Sequence, residues 1–336
     1  MNIIITILLT FFIAKTAVAQ DPHFTQYFAS PLTLNPANTG KGYGAIRAAL
    51  NTRSQWVALG VPFITSTASL DFKLKSEAVS EIDTWGAGLL LMNDKTGNNG
   101  FKTNYVGFST SYHKGLDEEG YKQIGLGIQV GFMNKTLDFN KLQFGNQLTN
   151  LGYNSSLPSN ETVANPNLRY TDINVGVLYS DSPNEDIAYN IGASYYHVNK
   201  PNEKFQSIST PIPTRLCIHA TGYKNVSEAI RLHASGLYMK QGYISEVNVG
   251  SALAFNLNND WEEKPTTIFA GTWYRVNEAF SPYFGLEFNN MHFGFSYDIN
   301  ASNLESLINK RGGLEVSLVY NYTKSGGGKG IPCPKF

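Results

Sequence analysis

Large apolar side chains recur at every second position along most of the chain beyond residue 42. The clearest run is Ile124, Leu126, Ile128, Val130 and Phe132, separated by Gly125, Gly127, Gln129 and Gly131. Successive side chains of a strand point to opposite faces, so this run describes a sheet with one apolar face and one small or polar face. The alternation returns in Ala68, Leu70, Phe72 and Leu74 against Thr67, Ser69, Asp71 and Lys73. It returns again in Val247, Val249, Leu253 and Phe255, and in Leu314, Val316, Leu318 and Tyr320.

Followed along the chain, the pattern predicts about fourteen strands, at 43–53, 63–74, 84–92, 102–114, 121–134, 170–180, 186–198, 214–224, 230–240, 245–257, 266–276, 279–288, 291–298 and 313–323. Their lengths approach the ~10 residues a tilted membrane strand needs, and an even count returns both chain ends to one side. The expected fold is therefore all-β: a single transmembrane antiparallel β-barrel over 43–324, with an N-terminal periplasmic or plug segment over 20–42 and a C-terminal tail over 325–336.

The three longest predicted connections, 135–169, 199–213 and 299–312, follow the fifth, seventh and thirteenth strands. With a periplasmic N-terminus they all fall outside, while turns such as Leu116–Gly120 and Asn289–Asn290 fall in the periplasm. Within the third loop, Leu304, Leu307 and Ile308 have the spacing of a short helix. Trp56, Trp85, Tyr112, Tyr121, Tyr238, Tyr243 and Trp273 sit near predicted strand ends, where amphipathic rings suit the lipid headgroup level. Ordinary strand aromatics are the alternative reading.

The first residues set the compartment. Ile3–Ile13 is an almost unbroken apolar run, and Ala17-Val18-Ala19 presents small residues where a signal peptidase reads them, so cleavage is expected after Ala19. No later stretch has the length and apolarity of a membrane helix. A closed barrel still crosses a membrane, because all its backbone groups pair within the sheet.

Composition changes the picture little. The 336 residues carry 26 Lys+Arg and 26 Asp+Glu, a formal net charge of zero, which offers no basic face for nucleic acid. Charged residues are 15% and aromatics 13%, which suits a lipid face with aromatic girdles but also a soluble sandwich.

Candidate chemistry is sparse. No nucleophile-elbow, zincin or phosphate-loop motif is present, so no catalytic residue and no cofactor are assigned. His219 and His233 fall on neighbouring predicted strands with Arg215, Cys217 and Arg231 nearby; a polar lumen face accounts for them, and no metal is assigned. Asn93–Gly100 lacks the carboxylates and closing Glu of a calcium loop. Cys217 and Cys333 do not make a disulfide framework, and whether they pair is left open.

The segment 21–40 is the preferred site. Phe24, Tyr27 and Phe28 have helical spacing, and Pro31 and Pro36 then interrupt regular structure. Preceding the first strand, the segment is expected to begin on the periplasmic side. Exposed aromatics are costly, so the segment either plugs the barrel or docks a periplasmic partner; a lid over the barrel mouth is the bland alternative. The small face of 125–131 lets such a segment approach the wall closely. Candidate partner-binding residues are Phe24, Tyr27, Phe28, Leu32, Leu34, Asn35 and Pro36.

A resemblance enters through these same residues. Gln20-Asp21-Pro22-His23-Phe24-Thr25-Gln26-Tyr27, continuing to Pro31-Leu32-Thr33-Leu34-Asn35-Pro36-Ala37 and Gly40, resembles the opening of the PorP/SprF family. Arg53-Ser54-Gln55-Trp56, Trp85-Gly86-Ala87-Gly88, Arg311-Gly312-Gly313 and the ending Pro332-Cys333-Pro334-Lys335-Phe336 follow in the family's order, with Lys335 where Arg is common. The resemblance implies a non-enzymatic outer-membrane component of the type IX secretion system of Bacteroidota, acting in secretion or gliding. It implies partners among type IX components or a large secreted surface protein, bound for export or surface attachment. An outer-membrane channel for small molecules or hydrophobic substrates is the alternative, and a lipid-acting barrel enzyme is the least favoured reading.

Overall fold

The computed structural model describes residues 20–57, 60, 62–77, 79–96, 100–161, 165–204, 209–257, 266–301 and 311–323. The expected signal segment 1–19, the loop helix at 304–308, Cys333 and the tail lie outside the described residues.

Fourteen antiparallel strands close into one barrel. They are β1 (Ile46–Gln55), β2 (Phe63–Leu74), β3 (Thr84–Thr96), β4 (Phe101–Gly115), β5 (Gln123–Leu137), β6 (Asn167–Asn184), β7 (Ile187–Tyr196), β8 (Arg215–Asn225), β9 (Ile230–Gln241), β10 (Ile244–Asn256), β11 (Thr267–Arg275), β12 (Ala279–Phe288), β13 (Met291–Asn300) and β14 (Arg311–Tyr322). The seam is made by β1 and β14, paired from Ile46 against Tyr322 to Gln55 against Gly313. Every predicted strand has its counterpart, with ends shifted by up to four residues; β3 runs on to Thr96, four residues past its expected end.

The burial pattern is inverted relative to a water-soluble protein. Leu126 is 68% exposed and Phe132 54%, while Gln129, three residues from each, is 1% exposed. Most large apolar side chains of the wall point outward, and Arg53, His113, Asn174, Glu315 and their like point into the lumen. Such an outer face is untenable in water and is what a closed sheet requires in hydrocarbon. Among the described residues no helix is long and apolar enough to cross a membrane.

Strands β5, β7 and β13, which precede the connections 138–166, 197–214 and 301–310, all end at one end of the barrel, called here the loop mouth. The chain enters β1 and leaves β14 at the opposite end, the terminal mouth. In this barrel class the long loops are extracellular. The sorting by length is less complete than the sequence suggested, because β10 ends and β11 begins at the terminal mouth, and the chain between them is as long as 301–310. Asn289 and Asn290 form a two-residue turn with φ of 50° and 67°, the left-handed pair that matches strand twist. Trp56, Trp85, Tyr112 and Tyr243 are exposed on the outer surface, but Trp273, expected in the same girdle, is 1% exposed inside the lumen. Its parity on β11 turns it inward, where an aromatic partner awaits it.

Candidate functional site: a segment threaded through the lumen

Residues 20–45 run the length of the barrel interior. Asp21 meets His197, Arg215 and Gln241 at the loop mouth. Gly40 meets Asp71, and the amide of Ala45 donates to the Tyr322 carbonyl at the terminal mouth. The segment therefore begins at the end opposite to the one expected, because only the lumen offers its buried side chains a full set of partners. From Phe24 to Pro36 nearly every residue is buried.

Local sequence keeps this segment from forming one helix. Tyr27–Ala29 is a single 3-10 turn, Pro31–Leu34 one α-turn and Pro36–Asn38 another 3-10 turn. Each proline sits at a first helical position, where its missing N–H costs nothing, and pushes the preceding residue away from helical geometry. The helical spacing of Phe24, Tyr27 and Phe28 thus yields only one turn. Repeated changes of direction spread the side chains around the axis, so that they meet the wall on all sides.

The contacts fall into three levels. Near the loop mouth, Asp21 sits between cations: its carboxylate is 2.7 Å from His197 Nε2 and 3.3 Å from Arg215 Nη1. His197 Nδ1 is 2.8 Å from Asp172. Burial works to raise the Asp21 carboxyl, but the charges of His197 and Arg215 hold it well below the usual carboxylate range. For His197 burial works to lower the imidazole, and the two carboxylates overturn it, pushing its pKa up to about 9. His23, buried near Arg53 and Arg275, is held well below its ordinary value by desolvation first and by these guanidiniums second.

Just below, the Glu315 carboxylate accepts from two consecutive backbone amides, Thr25 N at 2.8 Å and Gln26 N at 3.0 Å. Asp298 accepts from the Thr25 hydroxyl at 3.0 Å, from Arg53 Nη2 at 2.6 Å and from Arg275 Nη2 at 2.6 Å. Arg53 Nη1 donates to the His23 carbonyl at 2.7 Å. Four strands, β1, β11, β13 and β14, thus hold one short stretch of backbone through charge-assisted bonds.

At mid-depth the hold is aromatic and steric. Phe28 packs on Trp273 (ring centroids 5.0 Å) and Tyr283 (5.8 Å). The Tyr27 hydroxyl and the Trp273 indole N–H both donate to Ser235 Oγ, at 2.7 and 3.0 Å. Leu32 joins Leu90, Tyr105 and Met133 in a second apolar cluster, and Leu34 joins the first with Cys217, Leu237 and Met239. The Asn35 carboxamide caps the Pro36 turn by accepting from Ala37 N at 2.8 Å. Its NH2 donates outward to the Val177 carbonyl at 3.0 Å and lies 3.1 Å from His219 Nε2. Two wall glycines make room: a Cβ on Gly127 would collide with the backbone of Pro36 and Ala37, and one on Gly176 with the Asn35 side chain.

All seven sequence-predicted residues, Phe24, Tyr27, Phe28, Leu32, Leu34, Asn35 and Pro36, therefore lie inside the lumen. Sequence reasoning did not pick out Asp21, Arg53, Asp298 or Glu315. A signal existed: Arg53 and Glu315 stand directly opposite each other across the seam, both on the inward parity. Beside the segment a cavity of about 40 Å³ remains, lined by Leu90, Met92, Tyr105 and Met133 among others. It is large enough for water and little else.

The comparisons with known proteins agree with this architecture. Residues 16–320 match the family model described as type IX secretion system membrane protein PorP/SprF. No curated protein matches the chain. Among solved structures, the Ralstonia pickettii toluene transporter TbuX superposes with a TM-score of 0.52 at 10% identity, covering 87% of this chain and 92% of that one. A Pseudomonas aeruginosa FadL homologue gives 0.49 at 10% identity, over 85% and 92% of the two chains. The translocator domain of the autotransporter NalP from Neisseria meningitidis gives 0.43 at 11%, over 82% and 88%. At such identities the TbuX likeness is one of fold.

Proposed function

The chain belongs to the PorP/SprF family of type IX secretion system membrane proteins, and on that premise we propose that this barrel is a closed docking component of the secretion apparatus rather than a conduit. It is an outer-membrane component of type IX secretion. In the proposed reading it binds a cargo or machinery protein for export or surface attachment and catalyses no reaction. The observation that carries this reading is the filled lumen. Among the described residues, a segment held by Glu315, Asp298 and the Trp273 cluster occupies the lumen that a polypeptide would need. A partner then has the two mouths to engage, and the loop mouth has the most material: 138–166 and 197–214 carry short two-stranded ribbons of their own. Phe24, Tyr27, Phe28, Leu32, Leu34, Asn35 and Pro36 serve partner binding by setting the state of those mouths, or by leaving the lumen when a partner arrives. The mature chain in this reading starts at Gln20, after cleavage behind Ala19.

A chromosomal deletion of 21–40 tests it. The expected outcome is a barrel that still reaches the outer membrane but no longer supports surface display of type IX cargo. Normal display from the deleted protein would contradict a role for the segment.

The small-molecule channel remains a second reading, favoured by the fold shared with a toluene transporter. Conductance of the full-length protein in planar bilayers separates the two: the docking reading expects a closed barrel.

A further inference from the structure

The loop mouth carries a cluster that neither the secretion role nor the seating of the segment uses. His23, Glu246 on β10 and Glu278 in the β11–β12 turn each offer one ligand atom, and these atoms lie within 4.8 Å of one another. Glu246 is 5% exposed, and its Oε1 is buried without a hydrogen-bond partner; its Oε2 lies 3.2 Å from His23 Nε2. A buried carboxylate oxygen facing a second carboxylate and an imidazole is costly unless a cation completes it.

The formal charges around the cluster fit a divalent cation. Asp21 and Asp172 are matched by His197 and Arg215 in their own group. The neighbouring group holds the carboxylates of Glu246, Glu278, Asp298 and Glu315, against the guanidiniums of Arg53 and Arg275. Two negative charges are left over.

We propose that His23, Glu246 and Glu278 form a divalent-cation site at the loop mouth, taking a borderline metal of the zinc class and clasping the N-terminal segment to the wall. One imidazole and two carboxylates form a donor set that zinc accepts, with water in the fourth position. Zinc needs its donors about 3.4 Å apart, given metal–ligand distances near 2.1 Å, so the cluster must contract on binding. Glu278 is the member free to move: its side chain is 52% exposed on a three-residue turn, and it is held at present by Arg275 Nε at 2.8 Å. Binding exchanges that ion pair for the metal, and the buried Arg275 guanidinium keeps its second partner, Asp298. The consequence follows from the ligands' positions, because His23 belongs to the threaded segment and both glutamates to the barrel.

The test is isothermal titration calorimetry on the full mature chain in detergent micelles, stripped with chelator, with ZnCl2 and CaCl2 as separate titrants. Wild type is compared with Glu278→Gln, Glu246→Gln and His23→Ala, each first checked for the heat-dependent gel shift of a folded barrel. The expected result is one zinc per chain, bound more tightly than calcium and weakened at least tenfold by each substitution. Glu278→Gln keeps the test decisive if a buried variant fails to fold, because it sits on an exposed turn. No zinc binding, tighter calcium binding, or zinc binding unchanged in Glu278→Gln would overturn the proposal.

Discussion

The most informative residue is Glu315. A carboxylate buried to 1% exposure survives there because it accepts from two backbone amides and from Asn51, beside Arg53. Glu315→Gln keeps the shape but removes the charge and turns one acceptor into a donor facing an amide. The expected cost is about 3 kcal/mol, the scale of breaking a buried ion pair, read as a lower urea midpoint for the barrel refolded in lipid. His197 sets a pH dependence. Its imidazolium is favoured in the folded state, so its contribution is full below the unfolded value of about 6.5 and shrinks as pH rises. It is gone above about 9. Stability should therefore fall between those two values, and His197→Asn should flatten that limb of the stability–pH curve. Of these residues, little was legible beforehand. Alternation assigns Arg53 and Glu315 to the inward face but does not say that a backbone will lie between them.

At the scale of elements, the strands were legible because each must satisfy two solvents at once. Lipid outside and a polar lumen inside impose a strict period of two, and a slip of one residue would invert every side chain. The threaded segment obeys no such rule. Phe24, Tyr27, Phe28 and its two prolines announced aromatics needing cover and broken turns, yet nothing local fixed its direction; the route from Asp21 at one mouth to Gly40 at the other is decided by distant partners such as Gln241 and Asp71. The one clue of this kind was the small face of β5, and Gly127 does receive Pro36 and Ala37. Gly127→Val should thus unseat the segment while leaving the lipid face untouched. A destabilisation of about 1–3 kcal/mol is expected from the steric clash. The sharper readout is conductance: the variant should show frequent openings in a planar bilayer where wild type stays closed. A closed Gly127→Val barrel would mean that the segment re-seats or does not govern closure.

On the scale of the whole molecule, a fourteen-stranded wall encloses a lumen that its own chain fills. The wall resembles that of a transporter, while the interior resembles a packed core, with tilted and edge-on aromatic contacts at Phe28 and buried ion pairs at Asp298. The likeness to the toluene transporter is one of fold alone, whereas family membership makes the chain a type IX secretion membrane protein and the filled interior is what the proposed docking role is argued from. The most direct discriminator is a pulldown of tagged protein from outer membranes in gentle detergent, with co-purifying proteins identified by mass spectrometry. The docking account predicts stoichiometric recovery of type IX components or of one large secreted surface protein. Recovery of the barrel alone, together with steady conductance of the untouched protein, would contradict it.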